Sequence, residues 1–234
     1  MNLNRIVDEE KRIRETIKRE YVDLTRESEP IYDGIVNPEQ YISSSPRILW
    51  ILKEPYDNGK DRKGGDFSLT DDLLNKDTDR MSRQRAFQPI CYINYGIWTH
   101  VHDWDKMPWL RNSEEMRNGL KRIAYINISK LPGLKCSPSD RIIEAYQKHH
   151  GIIFDQIRTY EPDFIFACNP HVNLILKDLG FSESKWTPFE SAASIQISSK
   201  QRLVRVAHPS QREVKRVDYV NDAIKAATAD LVMA

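Results

Sequence analysis

The sequence predicts an α/β fold: a three-layer α/β/α sandwich around a central four-stranded, mainly parallel sheet. Two observations carry that expectation. Four short apolar segments, 47–57, 122–133, 163–172 and 202–211, each run into a Pro or Gly within a few positions. Parallel strands buried on both faces have this pattern. Helical stretches lie between the segments, and strands alternating with helices argue a parallel sheet covered on both sides. The length, 234 residues, suits one compact domain. Residues 1–45 read as an N-terminal helix and wrapping segment, and 46–234 as the body.

The elements come in this order. Residues 3–27 place Ile6, Ile13, Ile17 and Leu24 among many charges, which predicts an amphipathic helix. The stretch 29–46 is rich in turn residues and reads as a wrapping connection. The first strand lies in RILWILKEPYD. Ser113 is placed to cap SEEMRNGLKR, with two glutamates in the first turn. The second strand lies in RIAYINISKLPG. Ser139–His149 and Ile152–Tyr160 read as two helices divided by Gly151. DFIFACNPHV holds the third strand, after which Asn169 or Pro170 opens VNLILKDLG and Gly180 closes it. SIQISSKQRLVRV suggests a hairpin feeding the fourth strand. Residues 211–232 form a last helix with Val214, Val217, Val220 and Ile224 on one side.

Composition narrows the function without naming it. The chain is 40% apolar and 29% charged, as ordinary soluble globular proteins are. Its 35 basic and 34 acidic residues give a net charge of +1, which leaves nucleic acid open because a basic stripe can hide in a neutral total. Cys91, Cys136 and Cys168 form no Cys-x-x-Cys pair, which argues against a zinc ribbon, a disulfide framework and an iron–sulfur cluster. MNLNRIVDEEKRIRE is too charged for a signal peptide, and no apolar run spans a membrane. A cytoplasmic protein is expected. There is no repeat and no low-complexity segment.

A parallel sheet gathers its strand ends along one edge, where ligands bind in open α/β folds. Glu54, Asn127, Asn169 and His208 thereby become candidates for one cleft. The fourth segment ends His208-Pro209-Ser210. Read alone, that is a strand-to-helix turn in which Pro209 breaks the strand and Ser210 caps the next helix. The neighbouring signals are weaker. THVHDWD alternates His100 and His102 before Asp103 and Asp105 but has no matching second cluster, so no metal is expected. KGGDF lacks the spacing of a phosphate-binding loop or dinucleotide fingerprint. Cys168 and His171 sit at a helix start and read as structural.

Four short stretches, taken together and in order, resemble the uracil-DNA glycosylase superfamily over roughly residues 46–225. They are Leu52–Tyr56 (LKEPY), Phe67-Ser68, Asn127 in AYINIS, and His208-Pro209-Ser210. The family's first-strand motif is Gly-Gln-Asp-Pro-Tyr, matched here at Pro55 and Tyr56, with Glu54 where the water-activating Asp stands. The resemblance implies that Phe67 stacks on a flipped base, Asn127 reads its edge, and Tyr56 excludes a methyl group at C5. It implies backbone contacts from Pro55, Ser68, Pro209 and Ser210, and a wedge at Arg212, as in the single-strand-selective monofunctional branch. The implied activity is hydrolysis of the N-glycosidic bond of uracil or another deaminated base in DNA, in base-excision repair. No metal or cofactor is implied. The implied partner is single- or double-stranded DNA, bound by a monomer and with no membrane.

The chemistry suits these residue types. The base leaves with negative charge on its ring oxygens, and a neutral His208 donor stabilises that anion as an oxyanion hole does. A carboxylate at Glu54 stabilises the cationic sugar and orients water. Asn127 offers both a donor and an acceptor to a base edge. Lys60, Arg62 and Lys63 before Phe67, and Lys215 and Arg216 after Arg212, flank the proposed cleft where phosphate contacts are needed.

Three positions depart from the family pattern. Leu52 replaces a glycine, Lys53 a glutamine, and Glu54 adds a methylene that moves its carboxylate by about 1.5 Å. A misplacement of that order costs about a hundredfold in rate. Monofunctional hydrolysis is expected, because no lysine is clearly placed as a Schiff-base nucleophile; Lys53, beside Glu54, is the one to watch. Other roles stay open: Glu54 as an ion-pair partner, Phe67 as core packing, Asn127 as a strand-end cap. So do two other functions, a catalytically weak or inactive base- or nucleic-acid-binding module and an N-glycosidase of a small nucleoside or nucleotide.

Overall fold

The computed structural model describes residues 2–21, 29–56, 65–75, 78–133 and 138–229. The side chains of Asp79 and Met81 lie outside that description, as do Leu24, Cys136 and the basic run Lys60, Arg62 and Lys63. The four apolar segments form strands β2 (Ile48–Leu52), β3 (Ala124–Asn127), β4 (Phe164–Cys168) and β7 (Arg202–Val206). They are mutually parallel neighbours in the order β3-β2-β4-β7.

Among the described residues the sheet has seven strands and is mixed, which corrects the expectation of four. β1 (Gly34–Ile35) pairs antiparallel with β3 at one edge. At the other, β6 (Ala192–Gln196) turns into β7 as the expected hairpin, and β5 (Thr187–Pro188) pairs antiparallel with β6. β1 and β5 hold two residues each, too few to show the alternation that marks a strand.

Both faces of the sheet are covered. Ile48, Trp50 and Leu52 enter a core shared with α5 (Phe87–Thr99) and α9 (Arg216–Thr228). Leu49 and Ile51 enter the opposite core, with α1 (Leu3–Glu20), α2 (Pro38–Ser43), α7 (Ser139–Tyr160) and α8 (Val172–Asp178). The strand period of two sends successive side chains of β2 to opposite cores. Trp50 stacks on Phe166 at 4.5 Å between ring centres, and its Nε1 donates to Asn94 at 3.0 Å.

Several helices differ from expectation. α7 is continuous through Gly151, whose missing side chain would meet nothing within 4 Å. A helical glycine costs about 1 kcal/mol relative to alanine, and the buried faces of Ile142, Tyr146, Ile153 and Ile157 on both sides of it outweigh that. α9 begins at Arg216 rather than at 211, because the Gln211 side chain bonds both the N–H and the C=O of Val214 and holds a turn. α5 has no counterpart in the sequence reading. It is buried on nearly all sides, so it lacks the polar face that marks an amphipathic helix. Ser113 does cap α6 (Glu114–Asn118), accepting from Met116 N–H at 3.2 Å. α3 (Leu69–Asn75) and α4 (Thr78–Ser82) are short. Among the described residues no helix is long and apolar enough to cross a membrane.

From β2 the chain crosses to β3 on one side and then to β4 on the other. That reversal falls at the carboxyl ends of β2 and β4, the position where open α/β sheets bind ligands.

Candidate functional site

The carboxyl end of β3 delivers Asn127, only 1% exposed. Its peptide is clamped from both sides. The N–H donates to the Asp33 carboxylate at 2.7 Å, and the C=O accepts from Lys130 Nζ at 2.7 Å. Lys130 is wholly buried and also donates to both Asp33 oxygens, at 2.8 and 2.9 Å, and to Gln156 at 3.0 Å. Gln156 returns a bond to Asp33 at 3.0 Å. Burial pushes the Lys130 ammonium down from its ordinary value, and the facing Asp33 opposes that shift. The side chain of Asn127 is the opposite case. Both of its polar atoms are buried without a hydrogen-bond partner among the described residues, so it caps no described backbone group. A buried carboxamide of this kind costs stability unless something else completes it.

His208 stands two residues beyond β7. The Ser210 backbone N–H reaches its Nδ1 at 3.2 Å, and Ser210 Oγ lies 2.8 Å from the same nitrogen. A backbone N–H only donates, so Nδ1 is the acceptor and the proton sits on Nε2. Burial, and then the nearby Lys53 charge, lower the pKa of His208 to about 4. The ring is therefore neutral at physiological pH, with Nε2–H as its donor.

Lys53 comes directly after β2 and acts on more than His208. Its charge also lowers the pKa of His171, after burial as the larger cause. At Cys168 it opposes the burial that raises that thiol to about 12. Lys53 thus lies among the ends of β2, β4 and β7, the position marked by the sheet order. His171 is 3% exposed, its Nε2 lies 3.1 Å from Ser139 Oγ, and its Nδ1 is buried without a partner. In sequence, His171 reads only as a structural residue at a helix start.

Glu54 is engaged elsewhere. Its side chain is 1% exposed and pairs with Arg141 at 3.4 Å, the ion-pair alternative left open by the sequence. Arg141 is held in turn by the Pro132 carbonyl at 2.8 Å. Gly133 makes room for the carboxylate: a Cβ there would lie 2.4 Å from the Glu54 carboxyl carbon. Pro55 is buried, and its carbonyl accepts from Gly133 N–H at 2.7 Å. Tyr56 bridges to Gly133 through its backbone while the residue stays 58% exposed.

Phe67 is half-buried and joins neither core. Its carbonyl accepts from Tyr32 N–H at 2.9 Å, while Ile31 N–H bonds the Lys130 carbonyl at 2.7 Å. The Phe67 loop is therefore tied to the segment after β3. Ser68 is buried, and its hydroxyl is occupied: it accepts from Arg14 and from Asp71 N–H, each at 3.1 Å, at the start of α3. Those contacts favour a structural role over a phosphate contact. Pro209 is buried, Ser210 half-buried and Arg212 exposed.

Asp33, Lys130, Gln156, Arg141 and Gly133 carry the site's geometry yet gave no signal in sequence. Their partners are remote in the chain. Among the described residues no group of three His, Cys, Asp or Glu side chains is placed to hold a metal ion. Compared with protein-family models and with curated proteins, the chain matches none.

Proposed function

We propose that this chain is a DNA glycosylase with an α/β/α sandwich of the uracil-DNA glycosylase kind, acting on uracil or another deaminated base flipped out of DNA. One observation carries the reading: a half-buried, neutral His208 whose Nε2 is the donor. It is joined by Asn127, whose buried carboxamide lacks a partner. An anion stabiliser and an edge reader are what base departure needs. As the C1′–N bond breaks, its electron pair goes to the base, and Nε2–H of His208 donates to the oxygen that gains charge. Water then adds to C1′ and gives up a proton, and the departed base anion takes up a proton, so that neutral base and a C1′ hydroxyl result.

Glu54 fits the water step less directly. With its carboxylate on Arg141 and Gly133, it is held away from free rotation, and the guanidinium offsets its charge. Slow hydrolysis is the consequence of that placement. The same observation favours the second reading, a base-binding module with little or no turnover.

Alkaline cleavage of labelled oligonucleotides carrying uracil, hypoxanthine or xanthine tests the proposal. Cleavage of one of them, reduced about 10²–10³-fold in His208→Ala, supports a glycosylase. Binding of a uracil-containing strand without cleavage assigns the module. Release of base from free nucleosides, with no steep salt dependence, would point to a small-molecule N-glycosidase.

A further inference from the structure

The turn that carries His208 borders a second feature, one on the outer surface. Pro209, Gln211 and Arg212 line a cavity of about 200 Å³ together with Arg85 and Arg216. Arg216 also lines a larger cavity of about 600 Å³, with Arg83, Arg111 and Trp109. Arg216 lines both cavities, so the two adjoin and make a groove in two parts beside the turn. All five arginines are exposed, and among the described residues no Asp or Glu lines either cavity. Arg111, Arg212 and Arg216 pair with no carboxylate among the described residues. In a chain of net charge +1, so one-sided a lining is a local concentration of charge.

Trp109 is the second, independent observation. It is 75% exposed, although its surroundings are fixed. Its carbonyl accepts from Asn112 N–H at 2.8 Å, and the next N–H, of Leu110, donates to Tyr92 Oη at 3.1 Å. Arg117 bonds the carbonyls of Leu110 and Arg111 at 2.9 and 2.7 Å. The backbone is anchored and the indole is left to solvent. A flat aromatic beside a track of guanidinium groups is what recognises unpaired bases on a phosphate backbone. A paired base has no free face to offer it.

We infer that this groove binds a single-stranded stretch of nucleic acid, with the arginines on phosphates and a base stacked on Trp109. The inference rests on the nucleic-acid reading of the site and adds the strand form of the substrate to it.

The test uses the full chain and a fluorescein-labelled oligothymidylate of about 15 nucleotides, near the upper size of one such site. Anisotropy gives the affinity, and tryptophan emission reports stacking. Trp109→Leu should weaken binding about tenfold, the size of one base–aromatic stack, and abolish the quenching. Arg111→Ala with Arg216→Ala should lower the slope of log affinity against log salt by about 1.4, at about 0.7 per phosphate contact. Unchanged binding by Trp109→Leu would overturn the inference. So would competition by polyglutamate as strong as by the oligonucleotide, or a blunt duplex of equal length binding as tightly. Trp109 is exposed, so its variant should fold, and a thermal melt checks this. Oligothymidylate carries no deaminated base, so its binding reports the groove alone. Base release and its loss in His208→Ala report the chemistry, and either can fail without the other.

Discussion

Asn127 joins two regions that treat buried polarity in opposite ways. Behind its backbone, Lys130, Asp33 and Gln156 satisfy one another at 2.7–3.0 Å. Its own carboxamide, like Nδ1 of His171 after β4, is buried with no partner among the described residues. Folded proteins complete nearly all buried polar groups, so these orphans stand out within one sheet edge. The difference teaches where to look for function. A completed network holds a position, and an incomplete one leaves polar atoms free to meet a ligand or water.

The comparison can be broken most forcefully from behind. Lys130→Met leaves the Asp33 charge buried and uncompensated, and should cost about 3–5 kcal/mol of stability, read by urea denaturation. A loss near zero would mean the network does not hold Asn127 in place. Asn127→Ala should do the reverse. Base selectivity falls by about 1–3 kcal/mol, the worth of a bidentate edge contact, while the melting temperature stays level or rises because two buried orphan atoms are gone. If stability drops instead, the carboxamide is structural.

Lys53→Met sharpens the comparison through pH. His208 titrates at about 4 in the folded chain, against 6.5 ordinarily. Its contribution is full above 6.5 and is lost as pH falls through about 4. Removing the Lys53 charge leaves burial as the cause and moves the acid limb of activity upward, towards 6.5. A profile that does not move would separate Lys53 from His208.

The smallest effect concerns Glu10 of α1, linked to the Gln156 end of that network through Tyr160. Burial raises its pKa from 4.5 to about 7, against a bond from Tyr160 that lowers it. The folded carboxyl stays protonated where the unfolded one has ionised. Stability from this group is therefore full below 4.5 and is lost as pH rises through about 7. Glu10→Gln should raise the melting temperature by a few degrees at pH 8, on a scale of about 2–4 °C per kcal/mol, and leave it unchanged at pH 4.

Much of this arrangement was legible in sequence, for a physical reason in each case. Parallel strands buried on both faces are continuous apolar runs, so β2, β3, β4 and β7 are readable from the sequence, and their parallel direction puts the strand ends that carry Asn127 and His208 on one edge of the sheet. What escaped was set by distant partners. Lys130, in ISKLPG, reads as a surface lysine after a strand, and only Asp33 and Gln156 from other parts of the chain make it a core residue. Glu54 likewise looks like a free cleft carboxylate until Arg141 and Gly133 fold against it. α5 hid because burial on nearly all sides erases periodicity.

The two shortest strands have a consequence for the behaviour of the chain in concentrated solution. A sheet edge is a template for another molecule's backbone, and the danger grows with its length. Here one border is β1 and the other β5, each two residues long, and β5 ends in Pro188, which has no N–H to offer. A neighbouring chain would find at most a rung or two to grip at either border. The long, apolar strands that build the core are thereby kept to the middle of the sheet, where they cannot seed edge-to-edge aggregation.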